Sequence, residues 1–270
     1  MSRTISLAHL TALPCDPPTL VQIAADAGCA AAGIRLWPAM PGGTHYALMD
    51  DAALLRETLA RMAATGVSVL DIELLRIGAA FDVAACTPFL DVGARLGAKH
   101  ILVAGDDPDE ARATASFAAL CEAAARYDLT CNLEFMPWTA VRDAPGAHRI
   151  VSAAAQPNGG VLIDALHWAR SGSTLDDVSA LPRHALNYAQ ICDGLVPGPS
   201  TVEGLVFDAR CERLLPGEGG IPLRSLFERL PADLPVSIEI PNDRRAPAMG
   251  YVAWATAAVA ATTRVLAGLR

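Results

Sequence analysis

The 270-residue sequence has no CxxC pair, no GxGxxG after its first apolar run, no GxxxxGK[ST] and no compact cluster of lysines. The first absence fits cysteines that are reduced and mostly buried. The next two leave nucleotide cofactors without support. Aromatic residues make up 5%, and no basic run interleaves with them as a nucleic-acid groove requires. The balance of 21 basic against 29 acidic residues, a formal charge of −8, points the same way, so nucleic acid is not an expected partner. The opening MSRTISLAHLTALPC lacks the long apolar core of an export signal. Seven cysteines, an odd number in a chain too large to need staples, read as reduced, mostly buried residues of a cytoplasmic protein. The uncharged stretch 246–263 consists largely of small residues interrupted by threonines, so it reads as a packed helix with no membrane partner.

What is present is apolar: 52% hydrophobic composition, enough for one large core and a single domain over 1–270. Short apolar runs alternate with helical patterns, the rhythm of parallel strands joined by crossover helices. Eight strands are predicted, at 5–9, 33–36, 67–74, 100–104, 130–135, 160–164, 185–191 and 236–240. Helices are predicted at 18–27, 47–64, 80–96, 109–127, 145–154, 175–180, 223–230 and 248–269. Gly28, Gly66 and Gly97 fall where a chain leaves a helix in a left-handed turn, and Asp109 and Glu110 suit a helix start. The eight-fold alternation predicts an α/β fold, a (β/α)8 TIM barrel, with an open doubly wound sheet as the alternative. The stretch 192–220 is predicted to be a long loop over the ends of the last strands, a lid or a surface insertion.

Four of the runs end in a group able to hold a divalent cation: NLEF at Glu134, VLID at Asp164, YAQI at Gln190 and VSIE at Glu239. A charged oxygen at the end of a greasy strand is costly unless something binds it. Alternation puts Asn132 with Glu134, and Ser237 with Glu239, on one face, which in a barrel is the lumen. Each acid alone equally fits a structural ion pair; together they read as one metal site. Three carboxylates and one amide oxygen favour a hard ion, Mn2+ or Mg2+, over zinc. His167, in VLIDALHW, is either a catalytic group or a buried hydrogen-bonded histidine, and Trp168 beside it is expected to form a pocket wall.

These strand-end groups, the Asp-x-x-His element and an arginine upstream of LLPGEGG resemble the xylose isomerase-like superfamily of sugar epimerases, isomerases and related lyases. The resemblance spans essentially the whole chain, with its distinctive motifs in the second half. It implies that Glu134 and Glu239 both ligate metal and move protons. Asp164 and Gln190 complete the ligand set, His167 contacts a substrate oxygen, and Arg210 binds substrate beyond the seventh strand. Two departures stand out. Arg35 replaces a glutamate common at the end of strand two and is expected to meet an anionic substrate group. Gln190 replaces the usual histidine, as in bacterial dehydroshikimate dehydratases of the same superfamily. His9, Trp37 and Glu73, at or just after strand ends, are candidate substrate contacts, although a capping or surface role suits each equally well.

The leading expectation is a metal-dependent sugar or ketose isomerase or epimerase working through an enediolate. Its substrate would be a small polyhydroxylated compound or keto acid, and the protein a possible homodimer. A dehydroshikimate dehydratase-like lyase is the alternative, followed by a barrel that binds a small ligand without turnover. A metal-dependent endonuclease fits poorly, because it calls for several histidine ligands and a basic face.

Overall fold

The computed structural model describes residues 3–269, so Met1, Ser2 and Arg270 of the expected domain lie outside the described residues. Eight parallel strands follow one another around a closed barrel, with the first pairing the last. They are β1 (Ile5–Leu7), β2 (Ala31–Arg35), β3 (Ser68–Ile77), β4 (His100–Gly105), β5 (Thr130–Glu134), β6 (Gly159–Asp164), β7 (Ala189–Ile191) and β8 (Val236–Ile238). The helices on the first half of the ring are α1 (Pro17–Asp26), α2 (Ala52–Thr65), α3 (Thr87–Arg95), α4 (Glu110–Ala125) and α5 (Ala144–Ala154). The second half carries α6 (Ala165–Ser171), α7 (Leu175–Ser179), α8 (Val202–Cys211), α9 (Leu223–Glu228), α10 (Arg245–Met249) and α11 (Tyr251–Leu266).

The strands read as nearly continuous apolar runs because both faces are buried. Ile34, Ile72, Val103, Leu133, Ile163, Ile191 and Ile238 point outward into the shell shared with the helices. Ala31, Leu70, Leu102, Leu162 and Tyr188 fill the lumen as a separate apolar plug. Above that plug the inward positions become polar, and that is where the candidate ligands lie.

Helix ends follow the expected chemistry. Asp109 caps α4 by accepting the Arg112 N–H at 3.0 Å, and Gly66 closes α2 at φ 75°, a conformation that strains other residues. Several boundaries differ from the sequence reading. The predicted helix 80–96 is a 3-10 turn (Val83–Cys86) followed by α3. The predicted 248–269 divides into α10 and α11 at Gly250, whose φ is 83°. β7 starts at Ala189, because residues Arg183–Ala185 form a 3-10 turn. The predicted loop 192–220 contains α8, capped by the Thr201 hydroxyl on the Gly204 N–H at 3.1 Å. Helix α6, capped at its start by Asp164, has no counterpart in the sequence reading. All seven cysteines are free thiols, five of them buried. Among the described residues no helix is long and apolar enough to cross a membrane.

Candidate metal and substrate site

The four candidate ligands meet at the C-terminal mouth of the barrel. Glu134 is the last residue of β5, Asp164 the last of β6, Gln190 the middle of β7, and Glu239 follows β8 directly. Registers pair Asp164 with Gln190, and Gln190 with Ser237, so the three elements deliver their groups side by side. Carboxylate oxygens from Glu134, Asp164 and Glu239 all lie within 4.8 Å of one another. Gln190 Nε2 donates to Glu239 Oε1 at 2.9 Å, and its own carbonyl oxygen is buried without a hydrogen-bond partner. The buried indole of Trp254 on α11 donates to Ile240 O at 3.0 Å, fixing the chain one residue past Glu239.

A buried arginine ties the acids together. Arg213 Nη1 lies 2.7 Å from Asp164 Oδ2, Nη2 lies 3.0 Å from Glu239 Oε2, and Nε donates to Ala209 O at 2.7 Å. With Asp164 Oδ1 accepting the His167 N–H at 2.8 Å, both oxygens of Asp164 already have a donor.

Burial governs the protonation of this cluster. It pushes the Glu239 carboxyl up to about 7 against the pull of Arg213. Glu134 is also raised by burial, with Glu239 and Asp164 adding repulsion. Burial would raise Asp164 too, but Arg213 and His167 hold it below the usual carboxylate range. His167 is lowered by burial to about 4, despite Asp164, so its imidazole is neutral at neutral pH.

The donor set fits a hard divalent ion. Glu134 Oε1 and Gln190 Oε1 are buried and have no hydrogen-bond partner, while Asp164 and Glu239 each keep lone pairs on the same small space. All four donors are oxygens.

Beside the acids is a cavity of about 270 Å3. Glu134, Glu239, His167, Arg213 and Arg210 supply its polar wall; Leu10, Leu13, Leu74, Leu102, Met136 and Trp138 supply the apolar one. His167 Nε2 is 3.8 Å from Glu134 Oε1, and its ring meets the Trp138 edge at 5.1 Å and 76°. Arg210 lines this cavity, and among the described residues the only side-chain hydrogen bond of its guanidinium is to Met40 Sδ at 3.1 Å.

Other expected contacts fall elsewhere. Arg35 reaches the cavity wall, where its guanidinium is bound to Glu73 Oε2, at 2.8 Å through Nε and 2.6 Å through Nη2. Glu73 is therefore an ion-pair partner, and it also accepts the His9 N–H at 3.3 Å. Both ring nitrogens of His9 are engaged: Nε2 donates to Cys15 O at 2.9 Å and Nδ1 accepts the Arg35 N–H at 2.8 Å. Trp37 lines a neighbouring groove together with His45 and Phe81. Trp168 is not a pocket wall; it packs in the outer shell and donates to Thr174 O at 3.3 Å, leaving that role to Trp138. The sequence reading passed over Arg213, Trp138 and Arg76, which also lines the cavity. Arg213 had the clearest signal, because it is the arginine that immediately precedes LLPGEGG.

No curated protein sequence matches the chain, whereas solved structures match it well. A xylose isomerase-like TIM barrel/4-hydroxyphenylpyruvate dioxygenase fusion protein is 19% identical with a TM-score of 0.82; the match covers 98% of this chain but only 43% of the fusion protein. The probable 3-DHS dehydratase AsbF from Bacillus anthracis is 15% identical with a TM-score of 0.74, over 97% of this chain and 99% of that one. A D-allulose 3-epimerase from Methylomonas sp., in complex with D-allulose, is 14% identical with a TM-score of 0.67, over 100% and 98%. At these identities the likeness is one of fold. The profile of the family described as "Xylose isomerase-like TIM barrel" matches residues 21–262, and the chain belongs to that family.

Proposed function

We propose that the protein is a divalent-metal-dependent lyase that removes water from a cyclic hydroxy keto acid of the 3-dehydroshikimate type. The observation that carries this reading is Arg210, a cation on the cavity wall with no carboxylate partner among the described residues, facing a largely apolar wall. Burial and the nearby Arg76 and Arg35 charges all destabilise its protonated form, so a substrate carboxylate there relieves several unfavourable terms at once.

In such a dehydration the carbon beside the ketone loses a proton, its electrons form a new carbon–carbon double bond, and the hydroxyl on the next carbon leaves as water. A remaining ring-methylene proton then moves to the ketone oxygen, giving the aromatic acid. Glu134, Asp164, Gln190 and Glu239 would hold a divalent cation, Mn2+ or Mg2+ by the all-oxygen donor set, and when bound it would supply polarisation of the ketone. The neutral His167 imidazole lines the cavity and can take or return a proton. Glu134 faces it at 3.8 Å and stabilises the imidazolium formed on proton uptake. Glu239 stands on the same wall within the ligand set, where it would help hold the cation. Arg210 holds the carboxylate, and Trp138 buttresses the His167 ring.

The isomerase or epimerase reading keeps one observation in its favour: Glu134 and Glu239 come from different strands and both face the cavity, as transfer on two faces of a substrate requires. Incubation with Mn2+ in deuterated water separates the two. Formation of an aromatic acid from 3-dehydroshikimate supports the lyase. Deuterium entry into a ketose without water loss, and no aromatic product, overturns it in favour of the isomerase. Metal binding without conversion of any ketose or keto acid overturns both and leaves a binding barrel.

A further inference from the structure

The glycine-rich LLPGEGG segment has the composition of an anion cradle, but its amides are already taken by the chain itself. Asp193, 1% exposed, accepts the Gly194 N–H at 2.8 Å and the Ile221 N–H at 3.1 Å on Oδ1. Its Oδ2 accepts the Gly217 N–H at 2.8 Å and the Gly219 N–H at 3.0 Å. Four backbone donors on one buried carboxylate form a strong, directional clasp, and the loop is not a cradle for a substrate phosphate. The fit is close: a Cβ added at Gly219 would collide with the Asp193 carboxylate and the Gly194 carbonyl.

The same residue grips the chain next to Arg213. Asp193 and Leu214 exchange both backbone hydrogen bonds, at 2.9 Å each. On the other side, the Arg213 N–H donates to Pro241 O at 3.0 Å, and Asn242 Nδ2 donates to Arg213 O at 3.1 Å. Arg213 is thus suspended between the segment after β7 and the segment after β8, and these are the two strands that carry Gln190 and Glu239. Anchoring the backbone on both flanks fixes the point from which the long side chain reaches the two acids.

We propose that Asp193 is the positioning residue for Arg213: its carboxylate gathers the 217–221 loop, its backbone locks Leu214, and together they hold the guanidinium across Asp164 and Glu239. Nothing in this arrangement depends on which substrate is turned over, so it stands or falls separately from the lyase reading.

Hydrogen exchange of arginine Nε–H groups in the 15N-labelled full-length protein, followed by NMR, tests it directly. The Arg213 signal is assigned by its loss in Arg213→Met. Asp193→Asn replaces an acceptor with an amide N–H2 facing the loop amides, and Gly219→Ala displaces the same loop without changing any charge. Both variants are expected to speed Arg213 Nε–H exchange by about tenfold, with Arg35 Nε–H, bonded to Glu73 in the same barrel mouth, changing by less than about twofold. Unchanged Arg213 exchange in folded Gly219→Ala overturns the assignment even if Asp193→Asn fails to fold. Equal acceleration of Arg35 and Arg213 also overturns it, since Asp193 would then support the fold at large and not Arg213.

Discussion

Three carboxylates within 4.8 Å of one another would take up protons at neutral pH if left alone in a buried site, and two side chains decide how far that goes here. Arg213 holds Asp164 ionised and limits the rise of Glu239. Gln190 donates to Glu239 while leaving its own carbonyl without a partner. Glu134 makes no ion pair with Arg213 and accepts no hydrogen bond from Gln190, so it is the acid whose charge most needs a bound cation. Glu134→Gln and Glu239→Gln are each expected to suppress turnover by about a hundredfold or more, with at least one still binding Mn2+ by calorimetry; full turnover in both would remove them from the reaction. Arg210→Met is expected to raise KM for the keto acid by about thirtyfold, equivalent to about 2 kcal/mol, with a smaller change in kcat. An unchanged KM would place the carboxylate elsewhere.

His9 gives a pH prediction away from the metal ligands. Burial lowers it from 6.5 to about 4, and its Nδ1 serves as an acceptor that protonation would abolish. The unfolded chain therefore binds this proton more readily. The stabilisation is present above the ordinary histidine value and is lost as pH falls toward about 4, up to about 3 kcal/mol in all. Urea unfolding of wild type and His9→Gln at about pH 7 and about pH 4.5 isolates this term, because the opposing buried carboxyls are common to both proteins. A smaller acid loss in His9→Gln is expected; equal losses would contradict it.

At the scale of elements, the strands and ligand positions were legible because burial on both faces leaves a continuous apolar run, so a terminal acid stands out. Glu134, Asp164, Gln190 and Glu239 were found this way. Pairings made across strands were not legible: Arg35 looked available for substrate, but the β2–β3 register sets it opposite Glu73. Helix α8 was missed because Val202 and Phe207 are more than half exposed and Gly204 interrupts it, so VEGLVFDARC shows no clean apolar stripe. Arg210 and Arg213 lie three positions apart in sequence and both line the cavity, yet only Arg213 is buried between Asp164 and Glu239, because α8 stops at Cys211 and the chain turns toward Asp193. A helix with so little burial depends on its cap. Thr201→Ala is expected to cost about 1 kcal/mol, read as a lower urea midpoint with unchanged slope, and no shift would mean α8 is held by packing alone.

For the whole molecule, the closed barrel does what no local motif can: it carries groups from four separate stretches of chain to one mouth, above an apolar plug that keeps the lumen a packed floor. The central claim is that Glu134, Asp164, Gln190 and Glu239 share one divalent ion. Anomalous diffraction from crystals soaked in Mn2+ tests it most directly. A single strong peak at coordination distance from Glu134 Oε1, Gln190 Oε1 and the Asp164 and Glu239 carboxylates is the result predicted here. A barrel mouth without a peak, or manganese held only by other residues, would contradict the account.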